Sequence, residues 1–179
     1  ILLFGLGTER LQTEVSQIFP GKSIARLDRD SARGNNKIKQ ILQAMHSGDA
    51  DILIGTQMIA KGHDFKNIGL VGVICADVAL SLPDFRASEK TFQLLTQVIG
   101  RAGRSLKKGR AIIQTFQPSH PSITFAQSHN TKEFIENEIK MRKIFMQPPF
   151  KKAALIRIEH QDEEKAKQAA ESAVKLLNP

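Results

Sequence analysis

The chain has 179 residues, which is enough for one full domain and part of a second. Hydrophobic residues make up 41% and charged residues 25%, and no apolar run is long enough to cross a bilayer, so we expect a soluble globular protein. The net charge of +8 favours a polyanionic partner such as nucleic acid, and the single cysteine excludes an internal disulfide. Because the chain has no Trp and no Tyr, any stacking of bases would have to use Phe, so a single-strand binder built on aromatic platforms is a poor fit.

Strand-like apolar runs alternate with helical periodicity from the first residue onwards. For example, four apolar residues between Ile38 and Met45 recur at the spacing of one helix face, and Gly48 follows as a stop signal. The predicted elements in chain order are a strand at 1–4, a helix around 11–19, a strand at 23–27, a helix at 35–47, strands at 51–54 and 70–76, a helix at 88–102 and a strand at 111–116. Strands that alternate with helices predict an α/β domain with an open parallel sheet, whose ligand sites lie in loops beyond the carboxyl ends of the strands.

The character of the sequence changes after the first domain. Pro118 and Pro121 interrupt the chain, and we place this domain at residues 1–128 and a second unit at 129–179. The elements predicted in the second unit are a linker helix capped by Thr131 and running to about Met146, a strand at 153–159 and a helix opened by Asp162, Glu163 and Glu164. One strand and one long helix do not make a domain, so we expect a truncated α+β C-terminal domain.

The strongest chemical signal lies at residues 97–104. Gln97, Arg101 and Arg104 stand at i, i+4 and i+7 of a predicted helix, which places three polar donors on one face. Arginine offers a rigid donor fork and a permanent charge, which suit a residue that stabilises a transferring γ-phosphoryl group across an interface, an arginine finger. A solvated basic helix end is the plainer interpretation, but the two glycines beside the arginines would then lower helix stability to no purpose. We therefore predict that Arg101 and Arg104 are catalytic residues.

A second candidate site follows the third predicted strand. Gly55 and Thr56 open a turn that aims backbone N–H groups and a hydroxyl outward, an arrangement that binds phosphate. Lys61, Gly62 and Asp64 follow in a loop at the carboxyl edge of the sheet, where an acidic side chain can accept from a sugar hydroxyl. A purely structural turn has a comparable pattern. The interpretation of this segment as a phosphate site therefore depends mainly on its occurrence together with the arginine-containing helix.

Several short stretches form a set with the two candidate sites: Gly5 to Glu9, Arg26 to Asp30, Gly55 to Phe65, Ala76-Asp77, Leu82 to Glu89, Phe92 to Arg104 and Pro148 to Phe150. Two of these stretches, those with Thr56 and with Arg101, resemble motifs V and VI of superfamily 2 helicases. The amino-acid sequences of the whole set resemble those of the primosomal protein N-prime family of bacterial replication-restart helicases. The resemblance covers essentially the whole chain.

This resemblance implies a RecA-like lobe of the P-loop NTPase type, with a parallel sheet flanked by helices. It implies an ATP-dependent 3′→5′ DNA helicase that acts in the restart of stalled replication forks and in primosome assembly. Arg101 and Arg104 would complete the ATP site from across a cleft between two lobes. The other roles implied are nucleotide binding for Gln97, Gly62 and Asp64, and contact with the phosphate backbone of the tracked strand for Thr56, Thr8 and Lys61.

The residues that would close the ATP site from the other side are absent from the sequence. No G-x-x-x-x-G-K-[ST] phosphate loop and no acidic magnesium-holding motif occurs, and in the family both belong to an upstream first lobe. We therefore expect this segment to be inactive alone, to hold no metal, and to need the full-length protein for ATP, Mg²⁺ and zinc. The partners implied are forked or single-stranded DNA, the first helicase lobe of the same chain, single-stranded-DNA-binding protein and other primosome proteins, in the bacterial cytoplasm at the nucleoid and without a membrane.

Two other classes of protein stay open at this point. Another superfamily 2 translocase, such as a branch-migration or remodelling motor, would share residues 97–104 but not 82–89. A passive nucleic-acid-binding module would need the basic residues but would tolerate lysine in place of Arg101 and Arg104. The loop at 82–86 is predicted to be ordered and to face either DNA or the other lobe.

Overall fold

The computed structural model describes residues 7–28, 35–56, 68–102 and 109–177. The chain divides into two compact units, the first unit Ile1–Met141 and the second unit Arg142–Pro179. The domain boundary predicted after residue 128 stays a prediction.

Most helices and strands of the described residues lie where the sequence predicts them. In chain order they are α1 (Thr8–Ile18), β1 (Ile24–Leu27), α2 (Asn35–Ser47), β2 (Ile52–Gly55), β3 (Leu70–Val73), α3 (Ala87–Ala102), β4 (Arg110–Ile113), α4 (Pro121–Gln127), α5 (Thr131–Ile144) and α6 (Glu163–Leu177). The stop signal after α2 is confirmed, since Gly48 takes a left-handed conformation with φ +84°, which a glycine adopts without a Cβ clash. The strand predicted at 1–4 lies outside the described residues.

The strands of the described residues form two separate parallel pairs. β1 pairs with β2, with Ile24 opposite Ile52, and β3 pairs with β4, with Leu70 opposite Arg110. The parallel direction confirms the predicted crossover connections, which α2 and α3 make. The single five-stranded sheet that the sequence predicts is not present among the described residues, where no strand joins one pair to the other.

The core of the first unit forms around α3, which packs against β3, β4 and α4. Phe92 and Leu95 of this helix are 4% and 1% exposed. The Phe92 ring stacks on Phe134 of α5 with ring centroids 3.9 Å apart, and Phe125 meets Phe134 edge-on at 6.4 Å. Truncating a buried ring of this size costs about 3–5 kcal/mol. One apolar face therefore fixes the position of α3.

A short helix, α4, stands where the sequence suggested only a proline-interrupted end of the domain. Pro121 occupies the first turn of this helix, where its missing N–H and fixed φ suit a helix start. His120 caps the helix, because its Nδ1 accepts a hydrogen bond from the Ser122 N–H at 3.2 Å. This proline is a start signal rather than an interruption.

The predictions for the N-terminal ends of the last two helices have different outcomes. Asn130, not the predicted Thr131, caps α5, since Asn130 Oδ1 accepts from the Glu133 N–H at 3.2 Å. The acidic start predicted for the last helix is confirmed, and within it Asp162 caps α6, with Oδ1 accepting from the Glu164 N–H at 3.0 Å. An asparagine side chain at the residue before the helix reaches the third N–H of the first turn, which a threonine inside the helix does not.

The second unit contains α6 and an irregular segment before it. The sequence predicts a strand at 153–159, and this prediction is wrong for the structure described. A strand depends on hydrogen bonds to a neighbouring strand, and none is present among the described residues of this unit. The residue types at 153–159 favoured a strand, but they did not supply a pairing partner.

His120 links the stability of the first unit to pH. Burial lowers the pKa of this histidine, while the carboxylates of Glu138 and Asp77 oppose the shift. Folding therefore favours the neutral form of His120. The stability that neutral His120 contributes is fully present above pH 6.5 and is lost as the pH falls through the lowered pKa of the folded state. We predict a falling free energy of unfolding below that pH, measured by urea unfolding. His120→Asn should remove this pH dependence, because asparagine caps a helix without titrating; an unchanged dependence in the variant would contradict the role.

Candidate functional site

Helix α3 carries two of the predicted nucleotide-site residues on the side that faces away from the core. Leu95 and Ile99 pack into the core, whereas Gln97 and Arg101 lie one turn apart on the opposite face. Gln97 is exposed and Arg101 is half-buried. The structure thus brings these two residues together as neighbours, as their spacing predicts. Arg104 lies outside the described residues.

Gly100 lies between these two residues along the helix. A glycine in a helix interior costs about 0.5–1 kcal/mol relative to alanine. A Cβ at Gly100 would meet no atom within 4 Å, so no packing among the described residues accounts for the glycine. A Cβ at Gly109, in contrast, would overlap the backbone carbonyl group of Ala102 at the end of α3. The approach of β4 to α3 requires Gly109, while Gly100 leaves an open surface beside Gln97 and Arg101.

A polar cluster joins the start of α1 to the end of β1. The Thr8 hydroxyl donates a hydrogen bond to the carboxylate of Asp28, which is 7% exposed. Arg26 donates to the same carboxylate from Nε at 3.2 Å and to Glu9 from Nη1 at 2.9 Å. Asp28 therefore holds the first turn of α1 beside the carboxyl end of β1.

Thr8 and Thr56 lie at the same edge of the first strand pair. Leu27 pairs with Gly55, so Asp28, which holds Thr8, and Thr56 begin the loops at the carboxyl ends of β1 and β2, where parallel sheets place ligand sites. The Thr8 hydroxyl gives its proton to Asp28 and has none left for a phosphate oxygen. At Thr8, the donors that remain are the backbone N–H groups of the first turn of α1, which no side chain of the described residues caps.

Asp77 makes a corresponding connection at the second strand pair, and the sequence reasoning missed it. This residue follows β3 in a short 3-10 helix and is 7% exposed. Its carboxylate accepts hydrogen bonds from Thr115 Oγ1 at 2.8 Å and from the Phe116 N–H at 2.9 Å. Burial works against the charge on Asp77, but these hydrogen bonds outweigh it and lower the pKa. The ionised side chain ties together the loops after β3 and β4; the signal available was an aspartate directly after an apolar strand.

Several side-chain contacts converge on Asp84 in the loop at 82–86, which the sequence predicts to be ordered. Asp84 accepts from Lys90 Nζ at 2.6 Å and from the Arg86 N–H at 2.9 Å. The contact with Lys90, followed by that with Arg86, holds the pKa of Asp84 well below its ordinary value. The Arg86 guanidinium also lies over the Phe85 ring, 5.4 Å from its centroid. The surface that this loop faces in the whole protein stays a prediction.

The other predicted site residues, Lys61, Gly62 and Asp64, lie outside the described residues, as Arg104 does. Within the described ranges, no three His, Cys, Asp or Glu side chains gather as they would around a metal ion. In the same part of the chain, every helix is too short or too polar to cross a membrane. The site that the structure describes is therefore the polar face of α3 together with the carboxyl edges of the two strand pairs.

Comparison with known families shows which kind of domain carries this site. Residues 1–106 match the helicase conserved C-terminal domain family. The chain belongs to this family. Helicase C-terminal domains are RecA-like, which agrees with the parallel strand pairs and crossover helices of the first unit. The matched residues include the polar face of α3 and both threonines at the edge of the first strand pair.

The chain is similar over nearly its whole length to proteins that are named for replication restart. It is 45% identical over 177 residues to replication restart protein PriA of Bacillus subtilis, covering 99% of this chain and 22% of the relative. Over 173 residues it is 42% identical to the protein of the same name from Treponema pallidum, covering 97% of this chain and 26% of the relative. The Haemophilus influenzae protein is 43% identical over 153 residues, covering 86% and 21%. The chain thus spans about a quarter of the length of the relatives that it matches.

The bond between Thr8 and Asp28 leads to a test by two matched substitutions. We predict that Thr8→Val lowers the free energy of unfolding by about 1–2 kcal/mol, because a buried carboxylate loses one of its donors. Thr8→Ser keeps the hydroxyl and should change the stability by less than about 0.5 kcal/mol. Urea unfolding of the three proteins measures the difference, and equal stabilities of the Val and Ser variants would show that Asp28 does not hold α1.

The two glycines around the end of α3 should respond to alanine in opposite directions. Gly109→Ala should lower the free energy of unfolding by about 2 kcal/mol or more, because backbone atoms must shift to admit the Cβ. Gly100→Ala should raise it by about 0.5–1 kcal/mol, since the position is open and helical. Urea unfolding measures the free energy of unfolding of both variants and of the unaltered protein. A loss of stability in both variants would mean that the α3 surface at Gly100 is not open.

Proposed function

We propose that this chain is the second motor lobe of an ATP-dependent 3′→5′ DNA helicase that acts in the restart of stalled replication forks and in primosome assembly. Two findings support the proposal: the chain belongs to the helicase C-terminal domain family, and it is similar along nearly its whole length to proteins named for replication restart. Residues 1–128 form the lobe in this proposal, and residues 129–179 belong to a C-terminal domain. The isolated segment is inactive, because its sequence has no phosphate loop to hold ATP.

The polar face of α3 is the observation that carries this proposal. Gln97 and Arg101 lie on the side away from the core, and Gly100 leaves room there for a close approach that no described residue uses. An arginine on such a face can reach a triphosphate held by another lobe and stabilise the charge that develops as the γ-phosphoryl group is transferred. The proposed roles are arginine fingers for Arg101 and Arg104, orientation of the fingers for Gln97, and contact with the nucleotide edge for Gly62 and Asp64.

The carboxyl edge of β1 and β2 is the proposed track for the single strand. Thr8 and Thr56 share this edge, and α1 begins there with the positive end of its dipole and uncapped N–H groups, which favour phosphate. Because Asp28 holds the Thr8 hydroxyl, we assign the phosphate contact to the backbone N–H of Thr8 and to the exposed hydroxyl of Thr56. Lys61, which follows β2 in the sequence, adds a positive charge.

The complete motor needs parts that this sequence does not contain. ATP and Mg²⁺ bind together with the first helicase lobe, which supplies the phosphate loop in this proposal. Zinc belongs to ligands elsewhere in the full-length protein, since Cys75 is the single cysteine here. The partners are forked or single-stranded DNA, single-stranded-DNA-binding protein and other primosome proteins, and the place of action is the bacterial cytoplasm at the nucleoid.

Conservative substitution of the fingers in the full-length protein tests this function. Arg101→Lys and Arg104→Lys should each lower DNA-stimulated ATP turnover by about 10³-fold or more, because an arginine finger acts mainly in the transition state. Binding of a non-hydrolysable ATP analogue should change by less than about threefold. Arg110→Lys, at the exposed first residue of β4, is the matched control and should keep its turnover.

Each alternative result has a definite meaning. Retained turnover in both finger variants would overturn the motor assignment and favour a passive nucleic-acid-binding module. Parallel loss of analogue binding and turnover would mean that the arginines hold the nucleotide in the ground state, which also contradicts the proposed role.

A further inference from the structure

A run of positive charge without any acidic residue lies in the second unit. Residues 142–152, called here the basic turn, contain Arg142, Lys143, Lys151 and Lys152 and neither Asp nor Glu. These four residues give +4, which is half of the net charge of +8 carried by all 179 residues. The three lysines are exposed, and none forms an ion pair within the part of the chain that the structure describes. The positive charge of these three lysines is therefore open to a partner.

Two aromatic rings lie among these charges. The Phe145 side chain is 62% exposed and that of Phe150 is 41% exposed. Phe145 follows Lys143 by two positions, and Phe150 directly precedes Lys151. Exposed rings beside cations provide the two contacts that a single nucleic-acid strand uses, a stacking platform for bases and charges for phosphates.

Backbone hydrogen bonds close the basic turn on itself. The Gln147 N–H donates to the carbonyl of Arg142 at 2.8 Å, and the Phe150 N–H donates to the carbonyl of Gln147 at 2.9 Å. Met146 between them takes a left-handed conformation with φ +53°. The rings and charges are thus carried on a closed turn rather than a loose tail, which lowers the entropy lost when a ligand binds.

The combination of groups selects among possible occupants. A protein surface that covered the two rings would also have to desolvate several lysines, and lysine is depleted in the cores of protein interfaces. A DNA duplex offers phosphates, but its bases are stacked on each other and leave the rings without a partner. A single strand offers both phosphates and unstacked bases.

We propose that the basic turn is a second contact for single-stranded DNA, separate from the nucleotide face of α3 and from the strand edge with Thr8. Bases stack on Phe145 and Phe150, and the lysines on either side bind the flanking phosphates. The inference rests on the proposed function only in taking DNA as the substrate. It does not depend on ATP or on Arg101.

The test measures binding of a fluorescent oligo(dT) to the full-length protein by anisotropy over a range of salt concentrations without ATP. Lys151→Gln with Lys152→Gln should make the negative slope of log K against log[salt] less steep by about 1.4, since each single-strand phosphate contact contributes about −0.7. The matched control is Lys165→Gln with Lys167→Gln, which removes the same charge from exposed positions on α6. The control slope should change by less than half as much.

Phe145→Leu with Phe150→Leu tests stacking, because leucine keeps the apolar surface but not the ring. Affinity for oligo(dT) should fall about tenfold or more, while affinity for a blunt duplex of equal length and the thermal midpoint stay as in the unaltered protein. Unchanged oligo(dT) affinity, or an equal effect of the two lysine pairs, would overturn the proposal. A lower thermal midpoint with unchanged oligo(dT) affinity would show that protein covers the rings. If the Phe variant does not fold, the lysine pairs decide.

These results stay separable from those for the motor. Arg101→Lys should bind oligo(dT) like the unaltered protein if both proposals hold. Normal turnover in that variant, together with a less steep salt dependence for Lys151→Gln with Lys152→Gln, would refute the arginine finger and keep the basic turn.

Discussion

Helix α3 buries Phe92 and Leu95 in the core of the first unit, and the burial of this one face sets the direction of the opposite face. Because a helix repeats every 3.6 residues, Gln97 and Arg101 then lie on the face opposite to Phe92 and Leu95. Packing against β3, β4 and α4 supplies the rigidity that a residue needs if it is to act on a group held by another lobe. The chemistry assigned to Arg101 thus depends on apolar side chains that never meet a nucleotide.

Buried aspartates give the loops at the two strand edges a comparable rigidity. Asp28 ties α1 to the end of β1 through Thr8, and Asp77 ties the loop after β3 to the loop after β4 through Thr115. Asp28 directly follows β1 and Asp77 lies four positions beyond the end of β3, at the edges where α/β folds carry their sites. Aspartates at these positions order segments of the chain that strand pairing no longer holds.

The sequence predicted what depends on local pattern and missed what depends on contacts across the chain. The helix Asn35–Ser47 and the spacing of Arg101 from Gln97 follow from periodicity, and both are confirmed. The hydrogen bond between Thr8 and Asp28 joins residues 20 positions apart. No local pattern in the sequence indicates such a contact, so it could not be predicted. Pro121 was interpreted as an interruption because helix start and chain break share the same residue type. The prediction of a strand at 153–159 was wrong because suitable residue types do not supply a strand to pair with.

The most direct test of the assigned role compares the affinity of the full-length protein for two nucleotide analogues in the presence of DNA. One is ADP with aluminium fluoride, which resembles the transferring phosphoryl group, and the other is a non-hydrolysable ATP analogue that resembles the ground state. We predict that Arg101→Ala weakens binding of the first by about 100-fold or more and of the second by less than about threefold, because the arginine acts on charge that develops only during transfer. Equal effects on both analogues, or no effect on either, would contradict the assignment of Arg101 as an arginine finger.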